Sequence, residues 1–189
     1  MNRLLALGFF ACAAALSMAE LASHFDDPGR LLPADPAWTR AVDARLGDFE
    51  RATGIKIHVE IHLKSPSAEE DKVPGAYMSA LSGKLGTLRH GVLVVYFADD
   101  PDWRVWIGDE LTPAFAGKPG TVKELTASGA IHDVKEAMLN AARAKADAAF
   151  AALQKMAPPN QPPTPAQHLA LQADALLDTL MAKLSPKQM

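Results

Sequence analysis

Three side chains that can move protons or bind a hard cation, those of His90, Asp109 and Glu110, stand at the two ends of one apolar stretch. His90 precedes the run GVLVVYFA at 91–98, and the two carboxylates follow the run WRVWIG at 103–108. If these runs are the two strands of a hairpin, the three side chains meet at one end of it. Such a group favours binding of Ca²⁺ or Mg²⁺, or acid–base catalysis.

Three glycines are expected at the same end of the hairpin. Gly91 and Gly108 bound the two runs, and Thr53–Gly54 precedes an earlier strand that we expect to lie parallel to the first of them. Glycine allows backbone N–H groups to approach a ligand closely. We therefore predict a ligand-binding rim made by Thr53, Gly54, Arg89, Gly91 and Gly108, with His90, Asp109 and Glu110 as its catalytic or metal-binding groups. The alternative is a solvated cluster of loops whose glycines only make turns.

A second acidic group, Asp99, Asp100 and Asp102, lies between the two hairpin runs. Carboxylates this close in sequence can bind Ca²⁺ or Mg²⁺. Aspartate is also favoured in tight turns, because its side chain bonds to the local backbone. We favour the turn.

His58, Glu60 and His62 project from one face of a predicted strand at intervals of about 7 Å. Two imidazoles and a carboxylate suit Zn²⁺ if a further ligand comes from a neighbouring element. The simpler interpretation, which we favour, is the polar face of a half-exposed strand.

The elements that must position these residues are organised around the apolar run 91–98. Its β-branched and aromatic residues predict a strand buried on both faces, and the turn at 99–102 makes 103–107 its antiparallel partner. Residues 55–63 alternate strictly between apolar and polar, which predicts a strand with one buried face. A helical segment at 74–88 joins this strand to 91–98, so the two are expected to be parallel.

Helices are predicted before, between and after the strands. Asp35–Pro36 has the composition of a helix start and Gly54 that of a helix end. Thr121 and Glu124 can form a capping box, and amphipathic patterns predict helices at 131–156 and 165–184. The order predicts an α/β fold, namely a three-layer α/β/α sandwich on a small mixed β-sheet with a C-terminal helical extension.

The chain divides into five predicted segments. They are a signal peptide (1–19), an N-terminal arm (20–34), an α/β domain (35–156), a Pro-rich linker (157–164) and a C-terminal amphipathic helix (165–189). We expect the last helix to dock on the domain, because a free apolar stripe is a liability in water.

The first residues predict export. Arg3, the apolar run after it and the small residues up to Ala19 are typical of a secretory signal peptide cleaved near Ala19, which places the protein in the periplasm or outside the cell. Cys12 is the single cysteine, so cleavage leaves no thiol for a disulfide or a metal. Nothing later is long and apolar enough to cross a bilayer, and a net charge of -3 offers no surface for nucleic acid.

Three motifs resemble the TPM domain family, named for a thylakoid lumen protein, a photosystem II protein and a receptor modulator. They are the Thr-Gly dipeptide at 53–54, the apolar strand from Gly91 with the acidic turn after it, and the strand end at Gly108 with Leu111. His90 departs from the family, which usually has Asp or Asn there, and Asp109–Glu110 replaces a glycine-rich ending. The resemblance implies an exported or membrane-attached α/β domain. Some members are ascribed acid phosphatase activity, and others assembly or repair of membrane complexes.

We therefore expect a TPM-like domain that acts as a binding or assembly and maintenance factor on a protein partner in the cell envelope. The alternative is a divalent-metal-assisted acid phosphatase, in which Ca²⁺ or Mg²⁺ polarises a phosphomonoester while His90, Asp109 and Glu110 hold the metal and manage the proton. The sequence contains no nucleophile elbow, P-loop or dinucleotide fingerprint that would indicate another chemistry.

Overall fold

The computed structural model describes residues 23–185, which form a four-stranded sheet with helices on both faces. The strands are β1 (Phe25–Asp26), β2 (Lys56–His62), β3 (Gly91–Phe97) and β4 (Asp102–Ile107), in the order β1-β2-β3-β4. The first three strands are parallel and β4 is antiparallel to β3. The helices are α1 (Pro36–Thr53), α2 (Ala76–Lys84), α3 (Thr112–Ala116), α4 (Val122–Ala127), α5 (Ala130–Met156) and α6 (Pro165–Leu184).

Local sequence signals explain where the helices begin and end. The Asp35 side chain accepts a hydrogen bond from Ala37 N at the start of α1, and Gly54 ends that helix with φ +74°. Thr121 and Glu124 form the expected capping box of α4. Side-chain caps of this kind satisfy N–H groups that the helix itself leaves free.

The sheet is the middle of three layers, so the predicted α/β/α sandwich on a mixed sheet is confirmed. On one face, Val59, Val94 and Val105 share a core with α1, α5 and α6. On the other face, α2 packs over Leu93 and Phe97. The mixed sheet follows from the chain order, because α2 is a crossover between parallel β2 and β3, whereas a tight turn joins β3 to β4.

The C-terminal helix α6 is part of the main core. Its buried residues are Leu169, Ala170, Ala173, Ala175, Leu176, Leu177, Leu180 and Leu184. Arg45 of α1 pairs with Asp174 at 2.9 Å and with Asp178 at 3.0 Å, which ties α6 across the domain to the first helix. The expected docking of this segment on the domain is what the structure has.

Two short elements were not predicted. The arm before α1 contains β1, whose two residues pair with Val59 and Glu60 of β2. The stretch after Gly108 contains the five-residue helix α3, with Phe115 fully buried. The predicted signal peptide and Cys12 lie outside the described residues.

Candidate functional site

The predicted rim brings three polar side chains together at the start of β3. Arg89 Nη2 donates to Glu110 Oε1 at 2.7 Å, and His90 Nδ1 lies 3.4 Å from Glu110 Oε2. These side chains are 80%, 50% and 46% exposed for Arg89, His90 and Glu110 respectively. The rim is therefore a solvated ion-pair cluster, in which water competes for every charge.

Gly91 and Gly108 lie where two backbone segments come so close together that a side chain would not fit between them. Gly108 N donates to Gly91 O at 2.9 Å, and Glu110 N donates to Arg89 O at 3.0 Å. A Cβ built on Gly108 would lie 2.5 Å from Arg89 O, and one on Gly91 would lie 2.8 Å from Lys56 O. Both positions accept only glycine for steric reasons, and their backbone groups already bond to each other.

The other predicted rim residues are used locally or point elsewhere. Thr53 Oγ1 donates to Phe49 O and accepts from Ile55 N, so it completes the end of α1. Gly54 provides the positive φ of that helix end. Asp109 is exposed and lines a groove beside β4 with Trp106 and Lys135. Across residues 23–185, no three His, Asp or Glu side chains are grouped so as to hold a metal ion.

Asp99 and Asp100 lie in the turn between β3 and β4, and Asp102 is the first residue of β4. Asp99 Oδ1 accepts from the backbone N–H and the hydroxyl of Ser65, at 2.7 and 2.9 Å. These hydrogen bonds lower the pKa of Asp99, although its desolvation acts in the opposite direction and is the largest single influence. Asp100 and Asp102 pair instead with Arg104 and Arg143. The three carboxylates thus serve three different partners.

The polar face of β2 is less exposed than its alternation predicted. The side chains of His58 and Glu60 are 6% and 13% exposed, and that of His62 is 24% exposed. His58 Nε2 lies 3.5 Å from Glu60 Oε1, and His62 Nε2 contacts the other oxygen of the same carboxylate. Tyr77 of α2 reaches His62 Nδ1 at 3.4 Å, so α2 helps to cover this face.

Glu60 is held in its ionised form by its two histidine neighbours. The polar contact with His58 is the largest influence lowering the pKa of Glu60, burial acts against it, and His62 lowers the pKa further. Neither ring nitrogen of the buried His58 has a hydrogen-bond partner within residues 23–185, and its 3.5 Å contact with Glu60 is longer than a well-formed hydrogen bond. The interpretation of this face as half-exposed is wrong for His58, which is nearly buried.

A groove that the sequence did not predict runs along the outer edge of β4. Its upper part, of about 360 Å³, lies between β4, residues 71–78 and the start of α5, and its lower part, of about 270 Å³, continues toward Asp109. Four residues line both parts: Pro74, Trp106, His132 and Lys135. We call this feature the edge groove.

Two side chains of the edge groove have unusual polar surroundings. Trp106 Nε1 is buried and has no hydrogen-bond partner within residues 23–185. Lys135 Nζ donates to Val105 O of the edge strand at 3.3 Å. Burial lowers the pKa of Lys135, and the charge of Glu136 opposes this effect. A buried N–H and a desolvated ammonium both favour a ligand that offers hydrogen-bond acceptors.

A larger depression, of about 610 Å³, lies over α1 beside Ser23 and His24. Its polar groups are matched, because His24 Nε2 contacts Glu50 Oε2 at 2.6 Å and His24 N donates to Asp43 Oδ1 at 2.6 Å. Size alone therefore does not distinguish a binding surface in this protein. Within residues 23–185, Arg45, His58 and Trp106 have buried side-chain polar atoms without a hydrogen-bond partner, and of these three residues Trp106 is the one that lines the edge groove.

Sequence reasoning missed the edge groove because its residues come from separate elements. Trp106 was assigned to a strand and Lys135 to a helix, and neither belongs to a motif. One usable signal was present: β4 is the last strand of the chain, which makes it a candidate sheet edge.

Comparison with known proteins adds little to this geometry. No protein-family model and no curated protein matches the chain. The fold is similar to the solution NMR structure of the N-terminal domain of a protein from P. gingivalis, with 15% identity, 90% of each chain covered and a TM-score of 0.49. A likeness of this strength carries no argument about function.

Proposed function

We propose that this chain is an exported, TPM-like domain that binds a protein partner and so serves in the assembly or maintenance of a cell-envelope component. The observation that carries the proposal is the edge groove along β4, where the ammonium group of Lys135 bonds to the edge strand. Its two parts, of about 360 and 270 Å³, together have the size of a binding cleft.

The charges of the edge groove favour binding over catalysis. Asp71 and Arg104 lie 4.0 Å apart at its upper end, and Lys135 bonds to a backbone carbonyl. Among the described residues that line this groove, His132 forms no contact with a carboxylate like that of His90 with Glu110 at the rim. A concave surface with apolar and aromatic walls and a few directed donors is typical of a site that holds a partner.

The proposed envelope location rests on the N-terminal sequence and on the resemblance to the TPM family. Within residues 23–185, no helix combines the length and the apolar character that a membrane span requires.

The proposal is tested by photo-crosslinking in intact cells. A photoreactive amino acid in place of the exposed His132 should form a defined adduct that excess unlabelled protein suppresses, because this position borders the edge groove. The matched control carries the same amino acid at Lys155, exposed on the far end of α5. Equal labelling from both positions, or labelling that does not saturate, would exclude partner binding at this groove.

The alternative activity remains divalent-metal-assisted phosphomonoester hydrolysis at the rim. One contact favours it: His90 Nδ1 and Glu110 Oε2, 3.4 Å apart, form an acid–base pair in solvent. Purified protein assayed with a generic phosphate ester, with Ca²⁺ or Mg²⁺ and then with a chelator, tests the activity. Turnover that is insensitive to replacing Asp109 and Glu110 with alanine would remove this alternative.

A further inference from the structure

The hydrogen-bonding pattern of the hairpin fixes which groups of β4 face outward. Gly108 N donates to Gly91 O, so these two residues form a hydrogen-bonded pair of the antiparallel ladder. Pair types alternate along such a ladder. Trp103, Val105 and Ile107 therefore occupy the non-bonded positions, and their N–H and C=O groups point away from β3.

These outward groups lie at a free edge of the sheet that is shielded from water. β4 is the terminal strand in the sheet order, and the three residues are 7%, 6% and 7% exposed. Within residues 23–185, Lys135 Nζ is the side-chain group that bonds to one of them, at Val105 O. Backbone polar groups in such surroundings favour a partner that completes the ladder.

The walls of the edge groove restrict what can complete it. Residues 71–78 form one wall and the start of α5 forms the other. A second folded domain would need to bring its own sheet edge between these walls. A single extended segment fits between them, and it offers the alternating N–H and C=O groups that β4 requires.

Lys135 adds a charge to this requirement. The neighbouring cations already have carboxylate partners, since Arg104 pairs with Asp100 at 3.3 Å and Arg143 pairs with Asp102 at 3.3 Å. Lys135 forms no ion pair among residues 23–185, although the charge of the neighbouring Glu136 acts on it, and burial lowers the pKa of Lys135. A carboxylate delivered by a ligand would restore the favourable surroundings of the ammonium group.

We infer that the edge groove binds an extended polypeptide segment by strand addition to β4, with an acidic side chain of that segment on Lys135. The ligand backbone pairs with the outward groups of Trp103, Val105 and Ile107. The inference rests on the proposed partner binding and specifies its chemistry.

The test uses acetylated and amidated octapeptides in which Thr and Val alternate, with Glu placed at each position in turn. Each peptide has a matched Gln version, and both are titrated into the ¹⁵N-labelled protein. We expect the best Glu peptide to bind about tenfold more tightly than its Gln version, because a charge-assisted hydrogen bond is replaced by a neutral one. The amide signals of Trp103, Val105 and Ile107 and the indole signal of Trp106 should shift.

Two variants separate the backbone contribution from the charge. Lys135→Met should bind the Glu and Gln peptides equally, whereas Lys155→Met, at the exposed end of α5, should keep the tenfold preference. Val105→Pro removes an outward N–H that the ligand backbone needs, so it should abolish binding of both peptides. The variant should still fold, because proline is tolerated at such edge positions. The ¹⁵N spectrum of each variant reports whether it is folded.

The outcomes of these experiments test strand addition to β4 and leave the broader proposal of partner binding to its own test. Equal binding of Glu and Gln peptides to the unmodified protein would overturn the carboxylate contact. Edge signals that no octapeptide shifts, or self-association of the protein that shifts them, would overturn addition of a foreign strand. Partner binding itself would stand in these cases if the adduct at position 132 still saturates.

Discussion

The rim and the edge groove adjoin the same strand, β4, yet their polar groups differ in exposure to water and in hydrogen bonding. At the rim, backbone groups close on each other through Gly108 and Gly91, and Arg89 and His90 share Glu110 in solvent. In the edge groove, the buried indole N–H of Trp106 has no partner within residues 23–185, and the ammonium group of Lys135 bonds to a backbone carbonyl. The difference teaches that exposed charges at the rim are satisfied by water, whereas buried polar groups in the edge groove depend on partners supplied by the protein or by a ligand.

The largest effect is expected at the rim, from steric crowding. Gly108→Ala should lower the free energy of unfolding by about 3 kcal/mol, because the new Cβ would lie 2.5 Å from Arg89 O. The control is Gly54→Ala, where no atom lies within 4 Å and only the φ of +74° is unfavourable, so about 1 kcal/mol is expected. Urea denaturation measures both. Equal losses would contradict a steric role for Gly108.

The two tryptophans of β4 provide a matched pair. Trp103 Nε1 donates to Gln172 Oε1 at 3.2 Å, whereas Trp106 Nε1 has no partner within the described range. Trp103→Phe should therefore cost about 2 kcal/mol of folding free energy, and Trp106→Phe less than about 1 kcal/mol. Thermal and urea unfolding compare them. A larger loss for Trp106→Phe would show that its N–H is satisfied in the native protein.

Lys135 should make stability depend on pH in the alkaline range. Burial lowers its pKa in the folded protein below the ordinary value of 10.5. Between these two pKa values the unfolded chain binds more protons, so the free energy of unfolding rises with pH in that window and is constant below it. In Lys135→Met this rise should disappear.

The difference in pH dependence between the unmodified protein and the Lys135→Met variant isolates the contribution of Lys135 from that of tyrosines, which also titrate at alkaline pH. Burial raises the pKa of Tyr77 and Tyr96, and the unmodified protein and the Lys135→Met variant both retain these tyrosines. Unfolding by urea at a series of alkaline pH values measures the difference. An unchanged pH dependence in the variant would mean that Lys135 is solvated, and the contrast with the rim would weaken.

The smallest effect is expected from Glu110→Gln. Its contacts with Arg89 and His90 are exposed ion pairs, so the free energy of unfolding should fall by less than about 1 kcal/mol, and added salt should reduce the loss further. Urea denaturation at low and high salt measures both. A loss that is large and independent of salt would show that the rim is structurally more important than its exposure indicates.

Local signals in the sequence predicted most of the fold. The cap at Asp35, the glycine at 54 and the capping box at Thr121 each depend on a few adjacent residues, and the structure has all three. The hairpin of β3 and β4 follows from two apolar runs and a turn. The two short elements β1 and α3 were not predicted, because two and five residues are too few to show a hydrophobic periodicity.

The candidate sites depended on information that local patterns do not contain. Arg89, His90 and Glu110 lie near one another as expected, whereas Asp109 lines the edge groove instead. The need for glycine at 91 and 108 comes from backbone atoms of other segments that a Cβ would meet, and local patterns do not contain this information. The burial of His58 depends on packing around β2 that alternation cannot reveal. The edge groove depends on which groups of β4 face outward, and this is set by the register with β3.

The position of α6 has a consequence for biosynthesis. The apolar side of α1, made early, is completed by side chains that include Leu176 and Leu180, which leave the ribosome more than a hundred residues later. The nascent chain can acquire its full core only after α6 has been synthesised. If the first residues direct export, this delay keeps the polypeptide threadable through a narrow secretion channel until it reaches the compartment where it folds.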